Sequence, residues 1–270
     1  MLGNRGIVAS RVGLDSFGDE AIEQLSKRDV ETCYVQRDAA HPTGLVEVEL
    51  DASGQASYDI RQNVAWDFLE WSEAWRKLAQ ETDAVCWGTL AQRAVKSRNT
   101  IQSFVAATHA EAWRIFDVNL RQSHFSADVL NESLEQANVV KFNHEELPCV
   151  INALGMNDEN QSIETRGRAL LQRYELKAVC VTRGVNGSVI IREHDMDEHT
   201  GLTVKVTDTI GAGDAFTAAL TDGLLRELSA QQINEAANRL GAHVASLSGA
   251  MPAPDARTLS NKRRRELGDG

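Results

Sequence analysis

An α/β domain built on a mostly parallel sheet is the fold this sequence predicts, on three observations. Short β-rich runs alternate with longer segments of helical period, no repeat or low-complexity linker interrupts them, and 270 residues at 42% apolar composition can bury one sizeable core. By β-branched content and length, strands are expected at Ile7 to Val12, Ala84 to Trp87, Arg114 to Val118, Val139 to Phe142, Ala178 to Thr182 and Ser188 to Ile191. Between them, Asp67 to Gln80 places Phe68, Trp71, Trp75 and Leu78 at steps of three and four, so it reads as one amphipathic helix. Ala91 to Ala110, Gln161 to Tyr174, Asp214 to Glu227 and Ala230 to Leu247 read the same way and should cover the sheet faces. One region breaks the rhythm. Gly44 to Leu50 and Ala56 to Ile60 are β-rich runs joined by five residues containing Gly54, which predicts a β-hairpin: a lid over a site, or an ordinary edge hairpin.

Composition narrows the function. With 28 basic against 39 acidic side chains the net charge is −11, so no nucleic acid and no anionic membrane surface is expected as a partner. No apolar run approaches a membrane span of about 18 residues, the start has no signal-peptide core, and a cytoplasmic protein is expected. Cys33, Cys86, Cys149 and Cys180 form no Cys-x-x-Cys pair and read as free core thiols.

In open parallel sheets ligands bind beyond the carboxyl ends of the strands, so polar residues that follow strands carry the chemistry. Four clusters qualify: Asp117, Asn119 and Arg121; Asn143 and Glu146; Thr182, Arg183 and Gly184; and Asp208 to Asp214 after the β-rich Leu202 to Val206. The last joins a small-residue turn, Gly211-Ala212-Gly213, to an apolar helix. Amides there would meet the positive end of the helix and bind an anion, such as the charge developing in phosphoryl transfer. Asp214 beside that charge suits a general base that deprotonates an attacking hydroxyl. A tight turn with Asp214 as helix N-cap is the other reading.

The stretch Asp208 to Asp214 resembles the C-terminal signature of the PfkB, or ribokinase-like, family of carbohydrate kinases. Arg11-Val12-Gly13-x-Asp15-x-Phe17-Gly18, Asp117-x-Asn119-x-Arg121, Lys141-x-Asn143 with Glu146, and Thr182-x-Gly184-x-x-Gly187 resemble its other stretches, in the family's order across the chain. The resemblance implies a three-layer α/β/α fold of the ribokinase-like Rossmann type with a small β-hairpin lid, one domain over 1–270 with the lid at about 43–62. It implies that Asp214 is the catalytic base and that Gly211, Ala212 and Gly213 form an anion hole. Asn143 and Glu146 would organise the nucleotide phosphates and Mg²⁺, Glu146 through water, as a hard cation prefers oxygen ligands; a helix cap is the plain alternative. Thr182, Gly184, Gly187 and Asn238 would border ATP, Asp117, Asn119 and Arg121 would face the substrate, and Asp208 with carbonyls near Ile210 and Ala245 would offer oxygens to K⁺. The stretch Tyr58 to Phe68 looks most like the fructokinase branch, which points to fructose as acceptor, with ribose, 2-keto-3-deoxygluconate or a nucleoside as alternatives. A homodimer through the lid is also implied.

Two further expectations concern what the chain lacks and what it does not use. Family members start with a strand carrying an Asp and a Gly-Gly stretch before the element matched here by Leu2-Gly3. A strand-plus-helix unit of about thirty residues is therefore expected to be missing, through truncation or an incomplete gene model, and an impaired nucleotide- or sugar-binding fragment is the rival function. A dinucleotide oxidoreductase fits poorly, as no Gly-x-Gly-x-x-Gly follows an early strand. His194, Asp195, Asp197 and His199 read as a solvated loop rather than a metal site, and Lys262 to Arg265 as a solvated tail.

Overall fold

A computed structural model describes residues 2–50, 56–156 and 161–249. Its centre is a six-stranded sheet in the order β10-β9-β8-β7-β6-β5. Strands β5 (Ala84–Gly88), β6 (Trp113–Asp117), β7 (Val139–Asn143) and β8 (Ala178–Thr182) run parallel, while β9 (Ser188–Ile191) and β10 (Met196–His199) continue the sheet antiparallel. Helices α2 (Glu73–Glu81), α3 (Val95–Ala106), α4 (Ala127–Gln136), α5 (Glu146–Ala153), α6 (Ile163–Tyr174), α7 (Ala212–Leu225) and α8 (Ala230–Ala245) surround it. Alternation along the strands sends Phe116, Val140, Phe142, Val179 and Val181 to one core and Ile115, Val139, Ala178, Cys180 and Ile190 to another, beneath α7 and α8. Serines set the helix starts: Ser72, Ser126, Ser162 and Ser229 each accept the amide three residues on.

Outside this sheet, β1 (Ser10–Gly13) pairs in parallel with β2 (Val35–Asp38) around α1 (Ser16–Ser26), and β3 (Val46–Leu50) pairs antiparallel with β4 (Ala56–Ile60), from Val46↔Ile60 to Leu50↔Ala56. The expected hairpin is therefore present, and its turn, 51–55, lies outside the described residues. Its root is clasped by Asp15, which accepts from the Thr43 amide and hydroxyl and from the Gly18 amide at 2.6–2.8 Å.

Several expectations are corrected. The helix foreseen over Asp67 to Gln80 is a 3-10 turn at Ala65–Phe68 and then α2, because Leu69 is drawn out to Ser97 and Thr100 of α3 before Ser72 caps the new start. Trp75 and Leu78 are buried, whereas Trp71 is exposed. Likewise Ala91 to Ala110 divides into a 3-10 turn at Leu90–Gln92 and α3. The run Leu202 to Val206 forms no strand, its apolar side chains being exposed, and the polar run before it supplies β10 instead. Of the four cysteines only Cys180 is buried; Cys33, Cys86 and Cys149 are exposed. Among the described residues no helix is long and apolar enough to cross a membrane, and no group of three His, Cys, Asp or Glu side chains is placed to hold a metal. The basic run Lys262 to Arg265 lies outside the described residues.

Candidate active site

The parallel strands present their carboxyl ends in one row, and the sheet register fixes which residues meet there. Asn143 of β7 stands opposite Thr182 of β8, which stands opposite Ser188 of β9. One level below, Gly88, Asp117, Lys141 and Cys180 follow one another across β5 to β8. Helix α7 starts over this row. Gly211 supplies its N-cap with φ 81°, a left-handed conformation that costs glycine little and a side-chain-bearing residue more. Asp214 then falls in the first turn, exposed, and does not cap the helix, so the plain reading of that residue is not what the structure adopts.

The amides of the expected anion hole differ in their partners. Ala212 donates to the Thr209 carbonyl at 3.3 Å, whereas no acceptor meets the amides of Gly211, Gly213 and Asp214 among the described residues. These are helix-terminal donors that a bound anion would satisfy. Cys86 of β5 is reached by solvent, yet the protein packed around it pushes its thiol up to about 12, and the charges of Asp117 and Asp214 push the same way.

Asn143 and Glu146 form a reciprocal brace at the start of α5. Asn143 Oδ1 accepts the amides of Glu145 and Glu146 at 2.9 and 2.8 Å; Glu146 Oε2 accepts the Asn143 amide at 2.7 Å and Oε1 the Leu120 amide at 2.9 Å. Both lone pairs of Asn143 Oδ1 are thus spent, while each Glu146 oxygen keeps one. The donor set fits a cation held through water by Glu146, not one bound directly by Asn143. Burial raises the Glu146 carboxyl above the ordinary range; the two backbone amides and Lys141 oppose that rise.

The remaining candidates divide. Gly184 (φ 58°) and Gly187 (φ 80°) form the turn between β8 and β9, and a Cβ on Gly187 would lie 2.0 Å from the His199 carbonyl oxygen, so this backbone approach excludes a side chain. Thr182 gives its hydroxyl to the Phe142 carbonyl at 3.3 Å. Asn238 of α8 donates to Ser188 Oγ at 2.7 Å and to Asn234, holding α8 against β9. Asn119, with φ 43°, ends the β6 strand exit, and Arg121 is exposed and donates to the Leu120 carbonyl. Asp117 differs from its expected place at the substrate: it is 7% exposed, and its oxygens hold Lys141 and Thr217. Asp208 is similarly engaged, Oδ1 by the Ile210 amide and Oδ2 by the Gly249 amide, and the Ala245 carbonyl already accepts Thr207 and Asp208. These bonds brace the α7 loop against the end of α8, and each Asp208 oxygen keeps one lone pair toward the K⁺ expected there.

Thr217, Ser188 and Asn234 are site residues that spacing did not single out, and Lys141, part of the Lys141-x-Asn143 stretch, was given no role. Lys141 had a signal: a lysine in the apolar run Val139–Phe142 of a buried strand requires a buried partner.

Comparison with known proteins decides the family. The model of the pfkB family carbohydrate kinases matches residues 1–257. The chain belongs to the PfkB family. Among its relatives, a fructokinase of Escherichia coli is 30% identical, the match covering 93% of this chain and 83% of the relative. An uncharacterized sugar kinase of Pyrococcus horikoshii, solved in complex with ATP, superposes with a TM-score of 0.78 at 27% identity, over 98% of this chain and 85% of that one. The fructokinase of Vibrio cholerae O395, solved with fructose, ADP and calcium, gives 0.74 at 25% identity over 96% and 86%. The PfkB chain is thus a sugar kinase with the ribokinase-like fold, and fructokinases are among the proteins it is similar to.

Proposed function

We propose that this PfkB kinase transfers the γ-phosphoryl group of ATP to a hydroxyl of fructose. The carrying observation is the first turn of α7: an exposed Asp214 carboxylate beside amides of Gly211, Gly213 and Asp214 that no acceptor satisfies among the described residues. Asp214 accepts the proton of the sugar hydroxyl; the resulting oxygen attacks the γ-phosphorus as the bond to the bridging oxygen breaks and ADP departs. Negative charge on the transferring group falls on the α7 amides, where the helix dipole favours it. Mg²⁺, when bound, neutralises charge on the nucleotide phosphates, and Glu146 is the residue suited to hold it through water. Thr182, Gly184, Gly187 and Asn238 border the nucleotide in this reading, and Asn119 and Arg121 lie on the sugar side.

Fructose is supported by the Escherichia coli and Vibrio cholerae relatives and by the stretch from Tyr58 to Phe68. ADP release with Mg·ATP against fructose, ribose, 2-keto-3-deoxygluconate and adenosine tests it. Fructose should give the highest kcat/KM by at least tenfold. Preference for another acceptor overturns fructose alone, and no turnover with any acceptor, with nucleotide still bound, overturns the kinase reading in favour of a binding protein.

A further inference from the structure

Beneath the α7 loop lies a charge cluster that the reading above leaves without a task. Lys141 is 7% exposed, and its ammonium stands 3.0 and 3.1 Å from the two oxygens of Asp117. Asp117 Oδ2 in turn accepts the Thr217 hydroxyl at 2.7 Å, a tighter contact than the 3.1 Å from that hydroxyl to the Gly213 carbonyl. A Cβ built on Gly213 would lie 3.4 Å from Lys141 Nζ, so the ammonium sits directly below the turn that carries the free amides.

Around it this sheet face is largely apolar, with Ile115, Val139, Ala178 and Ile190 packed under α7 and α8 and the Ser188–Asn234–Asn238 cluster lying farther along, on β9. Packing alone would be served as well by apolar side chains here, since a buried ion pair rarely outperforms its hydrophobic replacement. Geometry gives the pair a use. Asp214 and Thr217 are three residues apart on α7 and therefore share a face of the helix. A tether on Thr217 fixes the rotation of α7 about its axis, and that rotation determines where the Asp214 carboxylate and the Gly213 amide point. Two strands anchor the tether, β6 through Asp117 and β7 through Lys141, so α7 is held against the strand end that presents Asn143.

We propose that Lys141, acting through Asp117 and Thr217, is a positioning residue for phosphoryl transfer, setting the azimuth of α7 and thereby the aim of Asp214 and the anion-binding amides. Burial pulls the Lys141 ammonium down, but the charge and hydrogen bond of Asp117, with Glu146 behind it, outweigh that and hold it above its ordinary value, so the tether stays charged. The inference rests on the kinase reading.

The test compares Thr217→Val, which keeps shape and loses the hydroxyl, with Thr217→Ser, which keeps the hydroxyl. Thr217→Val is expected to lower kcat by about 10- to 100-fold, the scale of a misplaced catalytic group, with KM for ATP and for sugar within about twofold. Thr217→Ser should recover kcat to within about threefold at equal or lower melting temperature. Lys141→Met should lower kcat at least as far as Thr217→Val, and the double variant Lys141→Met/Thr217→Val should lose no more than Lys141→Met alone, as two links of one chain. Equal kcat for the Val and Ser variants, or effects of Lys141→Met and Thr217→Val that multiply, overturns the inference; if Lys141→Met does not fold, the Val and Ser pair decides. A wild-type chain without turnover overturns the kinase reading and this inference together, whereas an active wild type with an unaffected Thr217→Val overturns the inference alone.

Discussion

The α7 side of the crevice and its lid side are held together by different means. On the α7 side, Asp117, Lys141, Glu146, Thr217, Ser188, Asn234 and Asn238 are all buried and bonded to one another or to backbone across a continuous six-stranded sheet. On the lid side, β1–β2 and β3–β4 are separate two-stranded sheets: Arg11 on Asp38 ties β1 to β2, Asp15 on Thr43 ties that sheet to the hairpin root, and single side chains such as Arg93 on Asp67 and Trp75 on the Tyr34 carbonyl link them to the body. A polar cavity of about 370 Å³ beside Asn63, Arg93 and His124 adds open space there. A site that must fix reacting atoms is built on the stiff side, and small sheets clasped by single side chains open at lower free energy than a core. Substitutions on the α7 side should therefore cost rate, and those on the lid side should cost local stability.

Asp214→Asn carries the largest expected effect. The amide keeps the size of the carboxylate and cannot take the proton, so kcat should fall by about 10²- to 10⁴-fold while the dissociation constant for ADP, measured by calorimetry, stays within about twofold. A variant that retains kcat breaks the assignment of α7 as the side where chemistry happens.

On the lid side the largest effect belongs to Arg93→Met. Arg93 and Asp67 have side chains 7% and 5% exposed and meet in a two-pronged contact at 2.8 and 2.9 Å, and Arg93 also lies 3.9 Å over the Trp66 ring. Removing the guanidinium leaves a buried carboxylate without its cation, a loss of about 3–5 kcal/mol in denaturant unfolding. Arg93→Met/Asp67→Asn should regain most of it. Hydrogen exchange sharpens the contrast: amides of β4 and the Ala65–Phe68 turn should lose protection more than those of β6 to β8, and equal loss across both sides would make the molecule one cooperative unit.

How much of each side was legible in the sequence follows the same division. Strands β7 to β9 are runs rich in Val, Ile, Phe and Cys whose type, and nearly whose ends, follow from composition because both faces are buried. The α7 loop was readable because glycine and a following carboxylate leave few other uses. Position in space was not readable: Asp117 has the spacing of a substrate ligand, yet its oxygens go to Lys141 on the next strand, a partner only the register reveals. Edge elements were misread for a related reason. Met196–His199 is polar and still a strand, since a sheet edge needs backbone pairing from β9 and Asn234 reaches over to Asp197, whereas Leu202 to Val206 looks like a strand and has nothing to pair with. The break at Leu69–Ser72 is likewise tertiary, made by Ser97 and Thr100 of α3.

Asp38 offers a smaller, pH-dependent probe of the lid side. It is 2% exposed; burial alone would raise its carboxyl, but the amides of Ala40 and His41, the His41 ring and Arg11 together hold it at about 2, against 3.8 for a free aspartate. A depressed carboxyl adds stability that is fully present above its unfolded value and is lost as pH falls through the folded one. The denaturant midpoint of the wild type should thus fall between about pH 4 and pH 2 more steeply than that of Asp38→Asn. Parallel curves would show that β1 and β2 do not depend on this charge.

Lys96→Ala marks the lower bound of the comparison. Lys96 and Glu70 form a 2.9 Å pair at the outer rim of the lid side, but their side chains are 50% and 55% exposed, so water and salt already screen the charge and little is gained for the rotamer freedom lost. Glu70 also keeps Arg11 at 3.0 Å, so it is not stranded when the lysine goes. Unfolding should shift by no more than about 1 kcal/mol, less at 1 M salt, with kcat unchanged. A shift as large as that of Arg93→Met would mean that the rim, rather than the buried clasp, holds the lid sheets to the body, and the division between a stiff α7 side and a point-clasped lid side would have to be drawn elsewhere.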